Sequence, residues 1–572
     1  MPDDPSLPAG GLTRRALLAL GGAAASVAAL PRAAVAAGSA AEGAAAVPGA
    51  TVAPQLIETS ISELRDRLRS GRTTSAALVR GYRQRIAAID AAGPRVNSVI
   101  ELNPDALSIA EELDVDRAAG RVRGPLHGIP VLVKDNIATG DRMQTTAGSL
   151  ALVGCQPDRD ATVAARLRQA GAILLGKTNL SEWANFRGNG ASSGWSARGG
   201  LTHNPYILDR SASGSSSGSG AAVSASLAAV ALGTETDGSI LSPSSACGLV
   251  GIKPTVGLTS RAGVIPIARS QDTVGPMART VTDAAITLGA LVGPDPRDPV
   301  TGESAGRFFR DYTRFLRPGA LRGARIGVPR KGFWGFDDVT DAVTEQALRT
   351  LRDLGAVLVD AEFPGIDELQ ESDAEFTVLL YEFKQDVAAY LATLPHRRGC
   401  PRNLADLIEF NREHAAAELK YFGQEVFLAS QRTDGLDSPV YRRALAEARR
   451  RGRADGVDAM LRRHDLQAIV APTLGPAGRI NLDGGESYAA GYTSTVIAIS
   501  GYPGVTVPMG FVQGLPVGLC FFGTAYSEPS LLGYAYAYEQ ATTVRRAPRY
   551  RATGGPPEPS SAGRAGRTAT VG

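Results

Sequence analysis

Apolar positions along the chain follow two periods. Ile61, Leu64 and Leu68, then Ala77, Leu78, Ile86 and Ile89, recur at helical spacing on either side of Gly71-Arg72-Thr73-Thr74, which predicts two helices over 61–89. Residues 129–133 form a short apolar run that reads as a strand. A helix over 161–170 is stopped by Gly171, and a strand over 172–175 follows it. Val339, Val343, Ala347, Leu351 and Leu354 trace one helical face that Gly355 ends, ahead of a strand over 357–359. Residues 366–465 are mostly helical and charged and read as an insertion over the sheet. Helices alternating with buried apolar strands predict an α/β architecture with helices on both sheet faces.

Small residues crowd one stretch, 211–251. A Ser/Gly-rich loop leads into a helix expected over 221–229, and a strand over 230–233 opens a second such loop. Glycine permits close backbone approach, so two loops flanking one helix and one strand can turn their N–H groups toward a common point. A flexible linker would not carry a core element between its halves. The pattern Gly-x-Ser-x-Gly occurs at 190–194 and at 214–218, but no strand precedes either match. Neither is therefore read as a hydrolase nucleophile elbow.

The ends differ in kind from the middle. Arg14-Arg15, the apolar run 16–30, a break at Pro31 and the small residues 33–37 have the order of an export signal, and the paired arginines suggest the twin-arginine route. The run is too short for a bilayer, which needs about 20 apolar residues. Residues 1–37 are thus expected to be an export signal, 38–54 a flexible leader and 551–572 a disordered tail. The mature protein is expected to be secreted or periplasmic, without stable membrane association.

Composition narrows the function. Lys+Arg 60 against Asp+Glu 57 gives a net charge of +3 and no electrostatic case for a nucleic-acid partner. Four scattered cysteines (155, 247, 400 and 520) form no disulfide scaffold and no metal-ligand pattern. Five histidines leave few candidates for imidazole catalysis. Lys134, at the end of the strand over 129–133, offers another base, because desolvation lowers a lysine pKa.

The motifs around it are long and ordered. They include Gly124-Pro125-Leu126-His127-Gly128-Ile129-Pro130 running into Lys134-Asp135-Asn136, and Gly176-Lys177-Thr178-Asn179. Gly214-Ser215-Ser216-Ser217-Gly218-Ser219, Gly233-Thr234-Glu235-Thr236-Asp237-Gly238-Ser239-Ile240 and Cys247-Gly248-Leu249-Val250-Gly251-Ile252-Lys253-Pro254-Thr255 follow. Ser270-Gln271-Asp272-Thr273, Gly275-Pro276-Met277-Ala278-Arg279, Ala471-Pro472-Thr473 and Gly514-Leu515-Pro516-Val517-Gly518 complete the set. The sequence resembles the amidase signature family over residues 55–545. The resemblance implies one large domain, a mixed β-sheet core covered by α-helices on both faces, in place of the three or four domains that length alone suggests.

It also implies roles. Ser239 matches the family's nucleophile, Ser215 its bridging serine and Lys134 its base, while the backbone N–H groups of Thr236, Asp237, Gly238 and Ser239 would form an oxyanion hole. No metal or organic cofactor is implied. Asp272, Ser216 and Cys247 are expected to shape the site without reacting. The family's commoner loop reads Asp-Thr-Gly-Gly-Ser where this chain has residues 235–239. Asp237 is therefore expected to turn its side chain away from the developing oxyanion, and the variant points to a subgroup acting on C-terminal peptide amides. Aryl or fatty amides are alternative substrates, and an amidotransferase A-subunit-like protein that acts on charged tRNA is an alternative function. Specificity is expected from residues 366–465 and 492–500. The expected protein is a monomer or homo-oligomer.

Overall fold

The computed structural model describes residues 54–485 and 490–554. The predicted export signal, nearly all of the leader and the tail beyond residue 554 lie outside the described residues. Tyr550 and Arg551, the latter the first residue of the predicted tail, donate backbone hydrogen bonds to Pro205 and Tyr206.

Thirteen strands run in chain order among the described residues. The first five are β1 (Val99–Leu102), β2 (Pro130–Lys134), β3 (Ile173–Thr178), β4 (Trp195–Ser196) and β5 (Gly200–Leu201). Then come β6 (Val230–Glu235), β7 (Val250–Lys253), β8 (Thr273–Ala278) and β9 (Arg325–Val328). The last four are β10 (Val357–Asp360), β11 (Ala468–Pro472), β12 (Gly504–Val512) and β13 (Leu515–Phe522). β4 and β5 form a small ribbon. The other eleven make one sheet in the order β1-β3-β2-β6-β8-β7-β12-β13-β11-β9-β10.

The sheet is mixed. β3, β2 and β6 run parallel, as do β11, β9 and β10, and the pairs between these groups are antiparallel. Every residue of β2, β3, β6 and β13 is buried, so helices cover both faces there, as the unbroken apolar runs of the parallel strands imply.

The predicted breaker at 71–74 separates the helices Ile61–Arg69 and Ser75–Arg85, and Thr74 caps the second by accepting from Ala77 N. Two expectations shift. The helix predicted over 221–229 runs instead from Ser217 to Ser224, because its buried serines find their own acceptors. Ser217 Oγ donates to Ser213 O at 2.5 Å, and Ser219 Oγ donates to Leu232 O at 2.9 Å. The helix Asp338–Asp353 turns Val339 outward, 49% exposed, and buries Thr340 and Thr344 in its place. Thr344 can be buried because its hydroxyl donates to Thr340 O.

The 366–465 region holds the helices Ala374–Leu391, Leu404–Glu413 and Pro439–Gly452, the last of which packs Tyr441 and Ala448 in one apolar cluster with Ile469 of β11 and Phe522 of β13. Phe383, Val387 and Leu391 join Leu152, Trp183 and Phe186 in one apolar cluster. Two further ties hold this region. Arg187, fully buried, bonds to both Glu182 and Glu418. Cys155 and Cys400 form a disulfide across 245 residues, which the spacing of the cysteines did not show because only the folded insertion brings them together. Cys247 and Cys520 remain buried thiols.

Candidate active site

Parallel pairing of β2 with β6 sets Leu132 against Ala231 and Val133 against Leu232, and so brings the end of β2 beside Thr234. Lys134 is completely buried there. Its Nζ lies 2.7 Å from Ser215 Oγ, 2.9 Å from Thr234 Oγ1 and 3.3 Å from Thr234 O, and as an ammonium it donates to each. Burial pushes the Lys134 ammonium down to about 7, against the opposing pull of the Asp272 and Glu235 carboxylates.

The two Ser/Gly loops meet as expected. Ser216 N donates to Ser239 O at 3.2 Å, which ties the start of the helix Ser217–Ser224 to the second loop. Ser216 Oγ donates to Thr234 O at 3.1 Å and locks the same loop to β6. The Gly214–Ser215 peptide bond is cis. A Cβ at Gly214 would meet Ser181 Oγ at 2.4 Å, so only glycine fits against that side chain.

The second loop is pinned from beneath. The Glu235 carboxylate accepts from Ile240 N at 2.6 Å and Leu241 N at 2.9 Å, holding the turn that presents Ser239. Gly238 has φ +76°, a left-handed conformation that favours glycine. Asp237 accepts from Thr495 Oγ1 at 3.0 Å, so its carboxylate is engaged by the helix Thr493–Ser500. Thr236 Oγ1 donates to Asp272 at 2.5 Å, and Asp272 also accepts from Ile267 N and Ala268 N. Burial pushes the Asp272 carboxyl up to about 7, offset by the Thr236 hydroxyl, the Ile267 N–H and Arg261. Asp272 and Ser216 thus fasten the loop by hydrogen bonds, and Cys247 is a buried thiol whose Sγ donates to Ala212 O.

Ser239 lines a cleft of about 590 Å³ together with Thr236, Asp237 and Gly238. Phe336, Glu375, Phe376, Leu379, Tyr492 and Thr495 also line it, so both expected specificity regions reach the cleft. Glu375 accepts from Gln271 Nε2 at 3.1 Å. Among the described residues no histidine lines this cleft. Sequence reasoning missed Thr234 and Asn136 as members of the hydrogen-bond network around Lys134, although both stand inside quoted motifs. It also missed Asn185 and Phe336, whose position only the tertiary fold reveals. Among the described residues no cluster of three or more His, Cys, Asp or Glu is placed to hold a metal, and no helix is long and apolar enough to cross a membrane.

The chain belongs to the amidase family, whose model, described as Amidase, matches residues 77–532. It is an amidase-signature hydrolase of amide C–N bonds. Among individual proteins, it is similar to the peptide amidase of Stenotrophomonas maltophilia, at 52% identity and a TM-score of 0.82, over 86% of this chain and 99% of that one. A probable amidase of Arabidopsis thaliana is 43% identical over 86% of this chain and 92% of its own. The A-subunit of the glutamyl-tRNA(Gln) amidotransferase of Chloroflexus aurantiacus is 36% identical over 80% of this chain and 92% of its own.

Proposed function

We propose that the protein is an exported amidase that removes the C-terminal amide of peptides, with Ser239 as nucleophile, Ser215 as proton bridge and Lys134 as base. The observation that carries this reading is the buried 2.7 Å contact between Lys134 and Ser215, whose neighbour Gly214 lines the same cleft as Ser239. A lysine held near neutrality by burial can accept a proton at pH 7.

In the proposed cycle Ser239 Oγ attacks the amide carbonyl carbon. Its proton passes to Ser215 as Ser215 gives its own to neutral Lys134. The tetrahedral oxyanion is met by backbone N–H groups of the Thr236–Ser239 turn, where each donor is worth about 10²–10³ in turnover. The C–N bond then breaks, and Lys134 returns the proton through Ser215 to the departing ammonia. The acyl-Ser239 ester remains. Water attacks it with the same relay, releasing the acid and restoring Ser239.

A peptide substrate is supported by the cleft's size, by its mixed wall of Phe336, Phe376 and Leu379 with Glu375 and Asp237, and by the similarity to a peptide amidase. A panel of peptide amides, aryl amides and fatty amides tests this. The highest kcat/KM is expected for peptide amides, and a preference for aryl or fatty amides would overturn the substrate assignment.

Export is supported by the ordered segments of residues 1–37 and by the Cys155–Cys400 disulfide, a bond that persists in oxidising compartments. Arg14→Lys with Arg15→Lys should retain the chain in the cytoplasm, and undiminished export would exclude the twin-arginine route. The similarity to an amidotransferase A-subunit favours a second reading, which co-purification with tRNA and further amidotransferase subunits would support.

A further inference from the structure

Next to Thr234 lies a small cavity of about 10 Å³ lined by Asn136, Thr234, Thr236, Asp272, Thr273, apolar side chains including those of Val264, Ile265 and Ile267, and Arg261, whose guanidinium donates to Asp298 and to Arg269 O. By volume it suits one water molecule, which needs roughly 10–15 Å³ and two to four polar partners.

Counting hydrogen bonds shows what the site lacks. Thr234 Oγ1 accepts from Lys134 Nζ at 2.9 Å and from Asn136 Nδ2 at 3.0 Å. A hydroxyl has two lone pairs and one hydrogen, so both lone pairs are used. Its hydrogen meets no acceptor among the described residues. Asn136 is 2% exposed, and its Oδ1 has no hydrogen-bond partner among the described residues. The Asp272 carboxylate accepts three donors and has room for a fourth.

We propose that this cavity binds one water molecule, which accepts from Thr234 Oγ1 and donates to Asn136 Oδ1 and Asp272, and that this water makes Thr234 a positioning residue for Lys134. With the Thr234 hydrogen turned to the water, Thr234 Oγ1 can only accept from the lysine. Neutral Nζ has two hydrogens. Thr234 Oγ1 takes one and Thr234 O takes the other, leaving the lone pair facing Ser215 Oγ, the atom that must yield a proton. Without the water, the Thr234 hydroxyl can turn its hydrogen to Nζ and occupy that lone pair.

This inference rests on Lys134 being the base, so its test has a readout independent of activity. A crystal structure of the full chain, at a resolution that shows ordered waters, should place one water within hydrogen-bonding reach of Thr234 Oγ1, Asn136 Oδ1 and Asp272. An unoccupied cavity overturns the proposal. In kinetics, Thr234→Val keeps the shape and removes the hydroxyl. Its kcat should fall about 10- to 100-fold with KM unchanged, a part of the 10²–10⁴ that positioned proton transfer contributes. Thr234→Ser, which keeps the hydroxyl, should restore kcat to within a few-fold. Full activity of Thr234→Val would refute the orienting role. Full activity of Ser239→Ala would instead refute the catalytic reading and leave the water site standing.

Discussion

Lys134 Nζ and Ser215 Oγ stand 2.7 Å apart, and both side chains are fully shielded from solvent. A charged lysine is costly in such a place, and the hydrogen-bond partners of this one are two hydroxyls and one carbonyl. The neutral form is therefore accessible near pH 7, which suits the role of base proposed for Lys134.

Removing either end of the relay should stop turnover while the fold persists. Ser239→Ala is expected to lower kcat by at least about 10⁴-fold, as loss of a nucleophile does. Lys134→Met, which replaces a buried amine with an apolar chain of similar length, should lose about 10²–10⁴ in kcat. Steady-state ammonia release, with circular dichroism to verify folding, measures both.

The pH profile has a defined sign. Only neutral Lys134 can accept a proton, so kcat/KM should climb about tenfold per unit below pH 7 and level off above it. Two carboxylates, Asp272 and Glu235, oppose the effect of burial on the lysine. Asp272→Asn removes one of them and should move the rising limb to lower pH. A rate independent of pH through this region would exclude Lys134 as the base.

Gly238→Ala tests the turn rather than the relay. The new Cβ would meet Ser242 Oγ at 2.9 Å and would sit on a residue with φ +76°. The turn should shift its N–H groups, with a loss in kcat of about 10²–10³, comparable to removing one oxyanion donor. Thermal stability should fall far less than activity, because the site lies at a cleft surface and not in the core.

The disulfide and the buried ion cluster should act on stability instead. Cys155→Ser opens a loop of 245 residues and is expected to cost about 2–4 kcal/mol, read as a lower unfolding midpoint that reducing agent reproduces in the parent protein. Arg187→Met leaves Glu182 and Glu418 buried without their cation and should cost about 3–5 kcal/mol. Both substitutions loosen the insertion that supplies Phe376 and Leu379 to the cleft, so KM should rise more than kcat falls.

Much of this is legible in the chain itself. The strand ending at Lys134 and the breaker at 71–74 show directly in apolar spacing, because burial of a parallel strand and capping by Thr74 are local matters. The Ser217–Ser224 helix starts four residues before the expected one because its serines bond to the preceding turn and to the sheet, a solution that propensity does not see. Val339 faces outward against expectation because Thr340 and Thr344 can be buried once the Thr344 hydroxyl bonds within the helix. Residue roles at Lys134, Ser215 and Ser239 come from resemblance, whereas Thr234 and Asn136 emerge only when strand register sets them beside the lysine. The cleft wall and the Cys155–Cys400 pair join segments hundreds of residues apart, and nothing local in the chain announces them.

The covalent intermediate gives the most direct test of the central claim. The protein is mixed with a slowly deacylated peptide amide or ester, quenched in acid, digested and mapped by mass spectrometry. An acyl group on the peptide containing Ser239, absent from Ser239→Ala, is the predicted result. Turnover with the acyl group on another residue would contradict it, as would a pre-steady-state burst with Ser239 unmodified.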